Sequence, residues 1–214
     1  MTVRLLVTIR QVHEDGTEVP VDGELAAALA GPAEQFAGLL SWAADIAYRR
    51  GEYDEALRIR REIQLPVYER LGDTRETALA WGQIADIAYQ RGEYDEAAEL
   101  HRSRLEVYRQ LGDPEGIASA DWGLAQIDLA REDYQSAFPR LTESFEILGR
   151  LQRPDGIAAV GWPLGQLLTA AGRADQARQV LSDALAAATT IGWTDLAQQI
   201  TKLLNPPPEA KEQT

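Results

Sequence analysis

Residues 71–97 read LGDTRETALAWGQIADIAYQRGEYDEA, residues 111–137 read LGDPEGIASADWGLAQIDLAREDYQSA, and residues 151–177 read LQRPDGIAAVGWPLGQLLTAAGRADQA. Each stretch starts 40 residues after the one before. An earlier copy, ADIAYRRGEYDEA at 44–56, nearly duplicates ADIAYQRGEYDEA at 85–97. A period of this size marks a stack of small supersecondary units, each burying a face against its neighbours. Within one period Trp81, Ile84, Ala85 and Ala88 fall at i, i+3, i+4 and i+7, the stripe of an amphipathic helix. Gly92 ends that helix at the left-handed C′ position, and Asp95 and Glu96 suit the positive end of the next helix dipole. The second helix runs from about Tyr94 to Gln110 and stops at Leu111-Gly112. Asp113-Pro114 then supplies an N-cap and a proline at the first helical position of the next unit. The same punctuation stands at Gly72-Asp73 and, weakened, at Gln152-Arg153-Pro154. Small residues recur where helices must approach closely: Ala44, Ala85, Ala125 and Gly165 on the first helices, Ala56, Ala97, Ala137 and Ala177 on the second.

Composition narrows the chemistry. The chain has 214 residues, 45% of them apolar, enough for a sizeable core that a stacked array builds one interface at a time as one elongated domain. A net charge of -13 repels phosphates, which argues against nucleic acid or an anionic membrane as partner. With no cysteine there is no disulfide or thiolate metal site. The opening MTVRLLVTIR is followed by Gln11, His13, Glu14 and Asp15 too soon for a signal-peptide core, and no window approaches the ~18 apolar residues of a membrane span. The cytoplasm is the expected location.

With Trp81, Ile84, Ala85, Gly92, Tyr94 and Ala97 at these spacings, the pattern resembles the tetratricopeptide repeat family in a 40-residue form. The resemblance covers about residues 33–204 in four copies. It implies an all-α fold: a right-handed α-solenoid of about four helix-turn-helix repeats (about 33–72, 73–112, 113–152 and 153–192), with a capping helix at 194–204. The fourth copy departs by placing Ala174 where Tyr94 and Tyr134 stand, which loosens its helix pair. The first departs by one extra residue between Ala56 and Leu71, in a helix that also holds Pro66. The two defects together predict a π-bulge or kink near 64–66. Pro139 and Pro163 also lie inside predicted helices. These bends either set superhelical curvature or act as a ligand-adjusted hinge. Residues 1–32 read as an N-terminal extension holding a β-hairpin, its segments 3–12 and 17–21 joined through Glu14-Asp15-Gly16. Such a hairpin packs on the first repeat, pairs with another chain, or stays mobile. The tail 205–214, rich in proline and charge, is expected to be disordered.

No catalytic constellation is present: His13 and His101 are the two histidines, His101 in HRSR reads as part of a solvated helix face, and no phosphate loop or paired metal-binding histidines occur. The chain reads as non-enzymatic, without metal or cofactor. By the geometry the resemblance implies, the first helix of each pair lines a concave groove. It presents Ser41, Trp42, Asp45 and Tyr48 from the first copy, Gly82, Gln83, Asp86 and Tyr89 from the second, Trp122 and Gln126 from the third, and Trp162 and Gln166 from the fourth. Trp122 and Trp162 are shifted one residue from the register of Trp81, a rotation of about 100° that turns them toward the groove or onto the neighbouring repeat. Asp and Gln stand where the chaperone-binding members of the family need Lys and Asn, which argues against an acidic C-terminal motif as ligand. The expected ligand is a protein or peptide segment with Arg or Lys beside an apolar or aromatic anchor. Arg49, Arg50, Arg58, Arg60, Arg61, Arg102 and Arg104, near His101, form either a second, basic docking strip or intrahelical pairs with Glu55, Glu62 and Glu99. The leading function is an interaction adaptor. The alternatives are a regulatory sensor acting on a separate effector chain and a self-assembling scaffold, so a homo-oligomer stays open.

Overall fold

The computed structural model describes residues 10–12, 18–20 and 33–205. The chain falls into two compact units, Met1–Asp73 and Thr74–Thr214, where the sequence suggested a single domain. In the first unit β1 (Arg10–Val12) pairs antiparallel with β2 (Glu18–Pro20), Gln11 facing Val19. The rest of the expected hairpin, and the tail beyond Asn205, lie outside the described residues.

Helix α1 (Ala33–Arg49) packs on a second helix built in three stretches: α2 (Tyr53–Arg58), a π-helical turn (Ile59–Gln64) and α3 (Leu65–Leu71). The Leu65 N–H bonds the Arg60 carbonyl, an i→i−5 bond, and Pro66 follows immediately in the first turn of α3. Proline has no N–H to give to the carbonyl four residues back, so the wider turn is placed where the α-helical ladder would be broken in any case. The turn lies just ahead of the segment the sequence indicated. It also takes up the extra residue: Ala56 and Tyr68 are both buried, as are Ala97 and Tyr108, although the first pair is one residue further apart. Ala44, Ile59 and Ile63 form the local core.

The second unit is a run of helix hairpins. Helices α4 (Thr74–Gln90) and α5 (Tyr94–Leu111), α6 (Pro114–Ala130) and α7 (Tyr134–Arg150), and α8 (Pro154–Ala170) and α9 (Ala174–Thr190) pair in succession, and each hairpin stacks on the next. The Asp113 carboxylate caps α6 by accepting from the Gly116 N–H at 3.0 Å. Gly92 and Gly112 end their helices with φ of 77° and 63°; one copy later Glu132 and Gln152 take the same left-handed turn with φ of 59° and 54°. Helix α10 (Thr194–Leu204) closes the stack, Ile200 buried against Leu181 and Ala184 while Gln198, Gln199 and Lys202 are exposed.

First helices receive side chains from second helices at glycines. A Cβ at Gly116 would overlap the Tyr108 ring, one at Gly156 the Leu148 side chain, and one at Gly165 the Leu181 side chain. Gly165→Ala is therefore expected to lower unfolding stability by about 1–3 kcal/mol. Gly149→Ala, on a helix with open space around the added methyl, is expected to be neutral to stabilising by up to ~1 kcal/mol. Urea denaturation of the two variants checks both.

Candidate interaction surface

Within the first unit Trp42 is 65% exposed, Asp45 is ion-paired to Arg60 at 2.5 Å, and the Tyr48 ring tilts against Tyr53 with centroids 5.6 Å apart. Asp45 is thus already engaged by a buried cation. In the second unit the candidate residues sit on the first helices of three consecutive hairpins. On α4, Gln83 is half-buried, Asp86 is exposed, and Tyr89 tilts against Tyr94 at 5.4 Å. On α6, Trp122 and Gln126 are half-buried. On α8, Trp162 is half-buried and Gln166 exposed. Both tryptophans also lie on neighbours: Trp122 against the core around Leu141 and Leu164, Trp162 against Leu181 and Ile200. Each indole therefore shares its area between core and surface, as the half-buried Trp81 on α4 also does.

A buried polar stack runs beneath Asp86. Arg104 on α5 is 5% exposed and donates to the Ser119 hydroxyl on α6 at 2.7 Å, with its guanidinium 5.5 Å from the Tyr108 ring centroid. Gly82 and Gly123 make the room: a Cβ at Gly82 would enter the Arg104 guanidinium, and one at Gly123 the His101 ring. Arg104 Nη1 lies 3.4 Å from His101 Nδ1, which assigns Nδ1 as acceptor and leaves the ring proton on Nε2, 3.9 Å from Asp86 Oδ1. Burial, together with the Arg104 charge, depresses the His101 pKa to about 3, so the ring is neutral. Burial also lowers the pKa of Arg104, and its Nε has no hydrogen-bond partner.

This corrects the expectation of a solvated His101 and removes Arg60 and Arg104 from the basic strip, whose Arg49, Arg50, Arg58, Arg61 and Arg102 are exposed. Arg60 and Arg104 point inward, Arg60 bonding Asp45 and Gln64, while Arg58 pairs with Glu55 at 2.7 Å and Arg102 with Glu99 at 2.5 Å. The signal was present in the repeat register. His101, Arg104 and Tyr108 fall where the next copy has Leu141, Ser144 and Leu148 and the following one Leu181, Ala184 and Ala188, a buried column throughout. A buried acid, Asp121 on α6, meets Arg140 at 3.5 Å. Its pKa is raised by burial and by Glu143, and Asp128, bonded to Arg140 Nε at 2.9 Å, is raised by burial as well. Among the described residues no group of three or more His, Asp or Glu side chains is placed to hold a metal ion. No helix among them is long and apolar enough to cross a membrane.

Tandem helix hairpins that stack in succession define an α-solenoid of the repeat-protein class. The tetratricopeptide repeat model matches residues 35–110, and the hairpins beyond continue the same 40-residue repeat. No curated protein matches the chain. Among solved structures it is similar to aspartyl phosphate phosphatase F from Bacillus subtilis, at 11% identity and a TM-score of 0.75 over 84% of this chain and 47% of that one. It is similar also to a Rap protein complexed with competence and sporulation factor, at 17% identity and a TM-score of 0.70 over 84% of this chain and 51% of that one. A third is a signal transduction ATPase with a tetratricopeptide repeat sensor from Pyrococcus horikoshii, at 15% identity and a TM-score of 0.67 over 85% and 28%. The chain spans about half the length of the first two and just over a quarter of the third.

The neutral His101 carries a pH signature. Its folded pKa lies below the unfolded value near 6.5, so unfolding takes up a proton; the stability is present above pH ~6.5 and is lost as pH falls toward 3. Between pH 7 and 5 the loss is about 2 kcal/mol. Asp121 and Asp128, with raised folded values, work in the opposite direction as pH falls. His101→Leu, which installs the residue of the next two copies, is expected to remove the His101 part of the slope. Urea unfolding of both proteins at pH 7, 6 and 5 reads the difference.

Proposed function

We propose that the chain is a non-catalytic protein-interaction module that holds a peptide or partner segment along the first helices α4, α6 and α8. The observation that carries the reading is the set Asp86, Trp122, Gln126, Trp162 and Gln166, which offers indole surface, amide groups and a carboxylate on three successive hairpins. The amides suit the backbone of an extended segment, the indole edges an apolar anchor, and Asp86 a lysine or arginine. In the cytoplasm such a module acts as an adaptor. The regulatory alternative, in which the bound segment controls a separate effector, draws support from the fold it shares with a Rap protein in complex with competence and sporulation factor and with an ATPase's repeat sensor.

The test is selection from a displayed peptide library followed by calorimetric titration of the enriched sequences. Enrichment of a basic residue next to an aromatic or large aliphatic one is expected. Asp86→Lys should weaken binding by about 1–2 kcal/mol, as should Gln166→Glu if the segment's backbone carbonyls face it. These exposed positions are preferred to the tryptophans, whose truncation also removes packing. Enrichment without basic residues, or affinities unchanged in Asp86→Lys, contradicts the proposal.

A further inference from the structure

Within the second unit a junction between hairpins is filled and the corresponding junction, 40 residues on, is open. In the filled one, Tyr89 tilts against Tyr94, the Arg131 guanidinium lies over the Tyr94 ring at 6.0 Å, and Arg131 is ion-paired to Asp95 at 2.5 Å. The equivalent residues of the open one are Leu129 for Tyr89, Tyr134 for Tyr94, Gln135 for Asp95 and Ala171 for Arg131. The arginine that covers the first tyrosine has become a methyl group, and Tyr134 is left 52% exposed. A concavity of ≈ 960 Å³ results, walled by Leu129, Tyr134, Phe138, Pro163 and Leu167 and floored by Ala170 and Ala171.

Charge changes with shape. The filled junction carries a balanced pair, Asp95 and Arg131, whereas the open one has uncharged Gln135 and, at its rim, Arg173 in the place of Asp133. The Arg173 guanidinium lies 5.1 Å from the Phe138 ring centroid, and its Nε donates to Gln176. Among the described residues its two terminal nitrogens have no partner, and they form a fork suited to a carboxylate. We propose that this pocket binds a peptide segment in which a bulky aromatic or aliphatic side chain stands next to a carboxylate. The apolar side chain takes the place over Tyr134 that Arg131 occupies over Tyr94, and the carboxylate meets Arg173. The pocket is open to solvent, so the segment can continue past it. It touches the surface of the proposed function at Gln166 yet asks for the opposite charge, so either site can fail without the other.

The probe is the capped peptide acetyl-Gly-Phe-Asp-Gly-amide, titrated into the full chain and followed by amide nitrogen–proton NMR, with its Phe-Asn counterpart as the control. Shifts are expected at Tyr134, Phe138 and Ala171, with the Phe-Asn peptide weaker by about fivefold or more. Arg173→Gln should abolish that preference and leave the weaker, apolar part of the binding. Ala171→Arg combined with Gln135→Asp rebuilds the arginine plug and should remove binding while melting like the parent. Asp86→Lys should leave the titration unchanged. Equal affinity for the two peptides, shifts elsewhere, no binding, or full binding to the plugged variant each overturns the proposal; if the plugged variant fails to fold, the Arg173→Gln arm decides.

Discussion

Two helices can come close only where one of them gives up side-chain volume, and in the second unit this happens at glycines on first helices facing bulky residues on second helices. Gly82 admits Arg104, Gly116 admits Tyr108, Gly123 admits His101, Gly156 admits Leu148 and Gly165 admits Leu181. The contacts at Gly116, Gly123 and Gly156 lock the register of one hairpin against its neighbour, and those at Gly82 and Gly165 lock the two helices within a hairpin, since a slip of one residue would turn a Cβ into the opposing side chain. The alanines at 85, 97, 125 and 137, all fully buried, serve the same end with one more methyl group. Surface chemistry depends on these locks, because they fix the rotation of α4, α6 and α8 and hence which residues those helices turn outward.

The same glycine cradles explain how the chain tolerates polar groups in its core. Arg104 and His101 occupy the positions that leucine and small residues take further along, and the volume removed at Gly82 and Gly123 lets their polar ends reach Ser119 and approach Asp86. The arrangement costs desolvation, visible in the depressed pKa of His101. In return the second unit has a polar interior beneath an acidic surface residue on α4, while its far end, around Leu181, Ala184 and Ile200, is apolar. The proposed interaction surface is graded in the same sense: Asp86 at one end, indole edges and amides toward the other.

The repeat, the hairpin order, the Asp113 cap and the closing helix were legible from spacing alone, because period and punctuation are local properties of the chain. The π turn was legible too, since one surplus residue and one proline had to be absorbed within a single helix, although it settled just ahead of the proline rather than around it. The inward course of Arg60, His101 and Arg104 was not read from the charge pattern. Charge on a helix ordinarily means a solvated face, and only superposing the copies shows that these residues occupy a buried column. Likewise the half-burial of Trp122 and Trp162 needs the neighbouring hairpin: a rotation of about 100° places an indole at the margin between core and solvent, and what packs there decides its exposure.

The most direct test of the account uses the indole N–H resonances of Trp122 and Trp162, assigned by single replacement, during titration with a selected basic and apolar peptide. The account predicts that both move in a saturable way with the same midpoint as the Asp86 and Gln166 amides. Saturable binding in which both indoles stay still while other residues shift would place the interaction elsewhere and contradict it.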